Sequence, residues 1–469
     1  MAIFVDIFQL IQSMCKGIEF IKNRERRIEG GSNIFNPGNA AFYLLVFSIF
    51  IPAIVFAQSD EDYTSGGNPL YTDHIFRKNI KSIQLHQVSW KFSLPIITLG
   101  SIKQLQLDFD DLDGDYKDYY YTFIHCDADW KPSSDITRYD YIQGYQQDYM
   151  TNYAYSFNTL QKYTHYRLLF PRNGMNITLS GNYILKVYLE NDPDSVAFTR
   201  RFMVYENDVT IHGWEKQPIG SDMYTKQEIQ YDINTSRYTI ADPTDAFKTV
   251  ILQNGRWDNA ITNLQPENIT DTSLQYFQED AGNVFDGGNQ FRHFDMTSLQ
   301  YNGDNIATQV RDSLYEDIQL KNDDPRPAAP YSADPDINGQ FLILTKDADS
   351  TPISAEYVVV HFFVPLDSEF TTGHLYVFGL LSDWQCRKSF EMHYDSDAGG
   401  YKAVLFLKQG YYDYEYAFLP KHGKVAEPGV IEGNHYETEN RYYILAYNRE
   451  VGLTYDKLVG FATVHAPGN

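Results

Sequence analysis

The sequence predicts an all-β chain built as β-sandwiches in series, and three observations predict it. Apolar and polar residues alternate with a period of two over most of the chain after residue 58, the spacing of a strand with one buried face. Aromatics make up 16% of the residues, with 38 Tyr and 30 Phe, and flat side chains fit a pleated surface. Turn pairs such as Asp113-Gly114, Asn173-Gly174 and Ser180-Gly181 fall between the alternating runs, as hairpins require. A length of 469 residues accommodates about two to four domains.

The first element is a leader. Ala40 to Ala57 carries no charge and ends in Val55-Phe56-Ala57 before Gln58. Those side chains suit the −3 and −1 positions of a signal-peptidase site. Pro52 interrupts the apolar run, which is short for a spanning helix. Residues 1–57 are therefore expected to be an extended N-terminus plus a cleaved signal peptide, with no membrane span left afterwards. Residues 1–38 precede the apolar run, and a start codon placed too early accounts for them. No cysteine follows the run closely, so lipoprotein processing is not expected. Cys126 and Cys386 lie far apart; an oxidising compartment would permit a disulfide between them, but nothing local demands one, and buried single thiols are expected.

A first sandwich is expected over residues 58–207, from runs such as "SIKQLQLDFDDL", "YKDYYYTFIH", "GNYILKVYLE" and "AFTRRFMVYE". A second β-rich domain, residues 208–335, contains "KQEIQYDINTS", "FKTVILQNGRW" and "NQFRHFDMTSLQY"; it could instead extend the first. The proline-rich acidic stretch "NDDPRPAAPYSADPDING" reads as a linker. A third domain, 336–469, holds "AEYVVVHFFVPL", "HLYVFGLL" and "YKAVLFLKQG". Short strands with regular turn signals make the immunoglobulin-like class the natural form of all three.

A formal charge of −24 argues against a nucleic-acid groove, which needs a basic footprint, and against a polybasic grip on lipid. Side chains that could carry chemistry are few. "DFDDLDGDY" places Gly114 at the sixth position of a calcium loop, but Phe109 and Tyr120 then occupy the obligatory first and twelfth. "HCDADW" gathers His125, Cys126, Asp127, Asp129 and Trp130. Neighbours on a strand point to opposite faces, so His125 cannot activate Cys126, and no partners at zinc spacing follow. Those residues are expected to be structural. Arg256 and Trp257 in "QNGRWDNAI", and Phe291, Arg292 and Asp295 in "NQFRHFD", read as hairpin corners. Each arginine could hold a carboxylate bidentately, for example Asp258 or Asp295, or meet an anionic partner. No Gly-x-Ser-x-Gly elbow or His-Glu-x-x-His pair is present, and the reading is non-enzymatic, with no cofactor, metal or small-molecule substrate.

The pattern Gly379-x-x-x-Asp383-Trp384, Gly400-Tyr401 and Gly410-Tyr411-Tyr412-x-Tyr414 resembles the starch- and glycogen-binding modules of the immunoglobulin-like class. It supports an alternative in which Trp384, Tyr412 and Tyr414 stack on a periplasmic glycan. The same tyrosines share one strand face and serve packing equally well.

The order of motifs resembles one family throughout. "LDFDDL", "HCDADW", "YTHYRLLFP", "LSGNYILKVY", "TRRFMVYE", "QNGRWDN", "FRHFD", "DINGQF" and "GLLSDWQ" to "LKQGYYDYEY" follow one another as in the plug protein of the type IX secretion system of Bacteroidetes. The resemblance implies a periplasmic protein of several immunoglobulin-like domains. It also implies a partner, the very large outer-membrane translocon barrel, whose periplasmic mouth the protein closes when no substrate is engaged.

Overall fold

Strands that bury both faces organise the molecule. The computed structural model describes residues 68–277, 282–311 and 316–467; the expected leader, residues 1–57, lies outside them. In the first sandwich, Tyr119–Cys126 sits between Gly181–Leu189 and Asp148–Tyr149, and Val196–Tyr205 and His74–Ile75 continue the sheet. The opposing sheet runs Ile80–Gln87, Leu105–Asp111, Thr164–Phe170, Asn152–Tyr155. Alternation sends Tyr119, Tyr121 and Phe123 into the core between these sheets, with Tyr183, Leu185 and Phe109. Much of the other face of the same strands is covered as well. Cys126, Ile184 and Met203 enter a second apolar cluster.

The middle sandwich supplies the other half of that cluster. One of its sheets runs Ile261–Thr262, Phe247–Gln253, Asn440–Asn448, Lys457–Ala466. Phe247, Ile251, Tyr442 and Ile444 face inward to its own core. Val250, Leu252, Tyr443, Leu445 and Tyr447 face outward and pack on the first sandwich. At about 1.5–3 kcal/mol for each fully buried large side chain, the seam is a core in its own right.

The third body is a nine-stranded sheet that begins at Arg292–Asp295, passes through Gly410–Pro420, Gly373–Phe378, Glu391–Asp395, Gly400–Lys408 and Tyr357–Pro365, and ends at Glu316–Leu320 and Ile306–Arg311, with Phe341–Ile343 as the ninth strand paired to Gly410–Pro420. It folds over itself: Phe294, on the first strand of that path, meets the ring of Phe362, five strands on, at 5.8 Å.

Strand pairing departs from the boundary expected at residues 335/336. Arg292–Asp295, Ile306–Arg311 and Glu316–Leu320 join the third body, whereas the last two strands, Asn440–Asn448 and Lys457–Ala466, complete the middle one. The proline-rich stretch is not a free tether. Arg326 binds Glu432 at 2.6 Å. Asp336 accepts from the Phe291 N–H at 2.7 Å, and Asp413 accepts from the N–H groups of Ile337 and Gly339. Sandwich composition is confirmed in the sense of an all-β, multi-sheet architecture. No helix of the described residues is long and apolar enough to cross a membrane.

Candidate functional site

The motif residues converge on the seams between the sandwiches. His125 is buried, with Nδ1 at 2.8 Å from Ser133 Oγ and Nε2 at 3.0 Å from the Ser180 carbonyl. Burial lowers its pKa, so the ring sits neutral in a satisfied pocket. Cys126 lies on the opposite face, a free buried thiol; burial pushes it up to about 12, which makes it a poor nucleophile. Cys386 is also free and buried. Asp127 accepts from Ser133 Oγ at 2.9 Å and pairs with Arg449 of the middle sandwich at 3.0 Å. Asp129 pairs with Lys131 at the surface.

Trp130 is where this motif does its packing. Its φ of +62° is unusual for a bulky residue, and its backbone N–H donates to the Asp127 carbonyl at 2.9 Å. The turn aims the indole into the seam, edge-on to Trp257 at 5.0 Å. The Arg201 guanidinium lies over both rings, at 4.4 and 5.3 Å. Trp384 repeats the device, with φ of +54° and its N–H donating to the Gly379 carbonyl. Its ring packs on Phe291 and Phe378 and lies so near Gly339 that a Cβ there would stand 2.3 Å from it; the glycine of "DINGQF" is required for this contact.

The expected arginine pairings divide. Arg256 binds Asp258 through two bonds of 3.0 and 2.8 Å, as expected, under the rings of Phe378 and Trp384. Arg292 does not bind Asp295. It binds Glu432 at 3.0 Å and Asp323 at 3.1 Å, because those carboxylates are buried around it whereas Asp295 turns to Thr297 and Lys346.

The glycan alternative fails on burial. A ring that stacks on sugar must be open to solvent, but Trp384 is 7% exposed, Tyr412 2% and Tyr414 1%. Tyr412 is stacked between Phe294 and Phe341 at 5.3 and 5.2 Å, and Tyr414 donates to Asp323 at 2.7 Å. All three are core.

Sequence reasoning missed a buried polar contact between the first and third bodies. Asp110 of the first sandwich receives Lys408 Nζ at 2.6 Å and Tyr357 OH at 2.7 Å from the third. His165 stands 2.8 Å from the other oxygen of Asp110 and 3.2 Å from Asp108. Lys408 is 298 residues from Asp110, and in sequence each looks like an ordinary polar position of an alternating strand. A second ionic contact joins Arg200 to Asp383 at 3.1 Å, and Asp383 to Arg387 at 2.6 Å. Beside it, where all three bodies meet, is a cavity of about 140 Å³ lined by Arg200, Arg201, Asn254, Trp257, Asp383 and Trp384 among others. Of possible metal ligands, Asp111, Asp113 and Asp115 cluster, but Lys117 already places its ammonium among them.

Three comparisons bear on this architecture. Residues 80–206, the sandwich that carries "HCDADW", match the family model for the type 9 secretion system plug protein 1st domain. A crystal structure of a hypothetical protein from Parabacteroides merdae ATCC 43184 superposes with a TM-score of 0.81 at 33% identity, over 84% of this chain and 99% of that one. No curated protein matches the chain. The sandwich that carries "HCDADW" is thus a recognised plug domain, and the chain belongs to the type 9 secretion system plug protein family.

Proposed function

We propose that the protein docks on the periplasmic end of the very large outer-membrane barrel of the type 9 secretion translocon and closes it while no cargo is engaged. The observation that carries the reading, beside the family, is the union of the first and middle sandwiches by an apolar seam and of the first and third by ion pairs. A pore wide enough for folded cargo leaks unless something broad and stiff covers it. Sandwiches free to swing on linkers would make a poor stopper; sandwiches that share cores make a good one. The role is mechanical: His125 and Cys126, the nearest approach to a catalytic pair in the sequence, are engaged in packing. Release requires a partly polar interface, since a large apolar one would not let go.

Affinity purification of the tagged protein from detergent-solubilised envelopes, followed by mass spectrometry, tests the reading. Recovery of one very large barrel in near-equal amount is the expected result. Recovery of the protein alone would overturn it.

A further inference from the structure

Residues 145–157 run along the open side of the first sandwich. The segment supplies an outermost strand of one sheet, Asp148–Tyr149, and then of the other, Asn152–Tyr155. Each pairs on one side only, with Tyr119–Cys126 and Thr164–Phe170 respectively. Tyr145, Tyr149, Tyr153, Tyr155 and Phe157 are all exposed. Tyr116, also exposed, leans on Tyr153 at 4.7 Å. Tyr153 also meets Tyr155 at 5.8 Å, so three exposed tyrosines touch, while Tyr149 packs separately on Tyr120 at 5.9 Å. Isolated exposed aromatics need no explanation, but a run of them along one edge marks a contact surface.

Carboxylates frame the strip. Asp113, Asp115 and Asp118 are exposed in one turn, and Glu190, Asp192 and Asp194 in the next. The Glu190 N–H donates to the Asp118 carbonyl at 3.0 Å, and Gln147 Nε2 donates to Asn191 Oδ1 at 2.6 Å, so both turns adjoin the strip. Of the cations there, Lys117 is paired with Asp111 and Asp113 and Arg172 with Asp148, Lys162 packs on the Gly114 turn with its ammonium on the Thr159 carbonyl, and Lys103 lines the same hollow as Tyr145 and Tyr149. Arg77, bonded to Ser195, and Lys186 stand beside the second turn. The charge that remains is negative, and the segment 145–157 itself contains no lysine or arginine.

We propose that this tyrosine strip within its carboxylate frame receives a lysine- and arginine-bearing segment of the translocon barrel; the inference rests on the plug reading above. Ammonium and guanidinium groups gain from a tyrosine face and from nearby carboxylates together. The unpaired strand edges offer main-chain hydrogen bonds to an extended segment.

The test uses the full chain in cells with an intact translocon. With p-benzoylphenylalanine in place of Tyr153, irradiation is expected to join the protein to the barrel within a segment rich in lysine and arginine. In parallel, the Tyr149→Ser/Tyr153→Ser/Tyr155→Ser variant, its fold checked by melting, is expected to recover about tenfold less barrel. Tyr224→Ser, exposed on the middle sandwich, serves as the control and recovers the normal amount. A cross-link to a second copy, to residues 1–67, or to an acidic part of the barrel overturns the inference. So does undiminished recovery by the triple variant, which leaves the plug reading standing. If the unaltered protein recovers no barrel, the plug reading itself fails, and this assignment with it.

Discussion

Lys408 and Asp110 meet at 2.6 Å with 2% and 1% of their side chains exposed, so the pair has given up nearly all its hydration. Burial lowers the pKa of Lys408 even though Asp110 opposes it. Such pairs add little net stability, but removing one partner strands the other. Lys408→Met would leave the Asp110 carboxylate facing Tyr357 and His165 without its ammonium. The expected loss is about 3–5 kcal/mol, read by urea unfolding; a change below about 1 kcal/mol would show that His165 alone satisfies Asp110. Asp413 and Glu415 make a different residue-scale argument. Burial pushes both up to about 8, assisted by Asp336 for Asp413 and opposed by Arg256 for Glu415. A carboxyl whose folded pKa is raised binds its proton more tightly folded than unfolded. Its stabilisation is complete below the ordinary carboxylate range and is lost as pH rises through about 8. The melting temperature is therefore expected to fall by several degrees between pH 5 and pH 8. Asp413→Asn keeps an oxygen for the Ile337 and Gly339 N–H groups and removes the ionisation, so it should flatten that slope. An unchanged slope would assign the proton to another group.

At the scale of elements, the final hairpin belongs to a sandwich begun more than two hundred residues earlier. Tyr442–Asn448 pairs with the whole of Phe247–Gln253, and it faces two cores at once through Tyr442 and Tyr443. Deleting residues 436–469 is expected to unfold the middle body and expose the seam. The truncated chain should aggregate, or show rapid proteolysis between residues 208 and 290 while the first sandwich survives. A soluble, protease-resistant truncation would contradict the pairing. Period-two alternation made the strands of the first sandwich legible, because each stays in one local body. It could not reveal which body Arg292–Asp295 or Asn440–Asn448 would join, since alternation specifies a face and not a neighbour. The acidic, proline-rich stretch misled for a related reason. Its Arg326 and Asp336 look solvated in sequence, but they are held by Glu432 and the Phe291 N–H. Of the motif residues, the Arg256–Asp258 fork could be anticipated because its members are two residues apart. Arg292 could not be placed, because Glu432 is 140 residues away. The left-handed turns that carry Trp130 and Trp384 leave no mark in the alternation, which describes extended backbone only.

At the scale of the molecule, stiffness and charge decide how a plug is held and released. The first and middle sandwiches share an apolar cluster and ion pairs join the third to the first, so docking as proposed above would engage the surface and leave these joints intact. The chain carries 62 acidic against 38 basic residues, a formal charge of −24. Such a surface attracts basic partners over the screening length and repels acidic ones. That length shrinks from roughly 10 Å at 0.1 M salt to roughly 3 Å at 1 M, so charge-driven docking must weaken steeply with added salt. Between about 0.05 and 0.5 M NaCl, the affinity of the purified protein for detergent-solubilised barrel is expected to fall about tenfold or more, mainly through slower association. Asp115→Asn/Asp118→Asn/Asp192→Asn should reduce that dependence while leaving the fold intact, since all three side chains are exposed. Binding indifferent to salt would mean that apolar contact dominates, and the carboxylate frame around the tyrosine strip would then have no part in holding the plug.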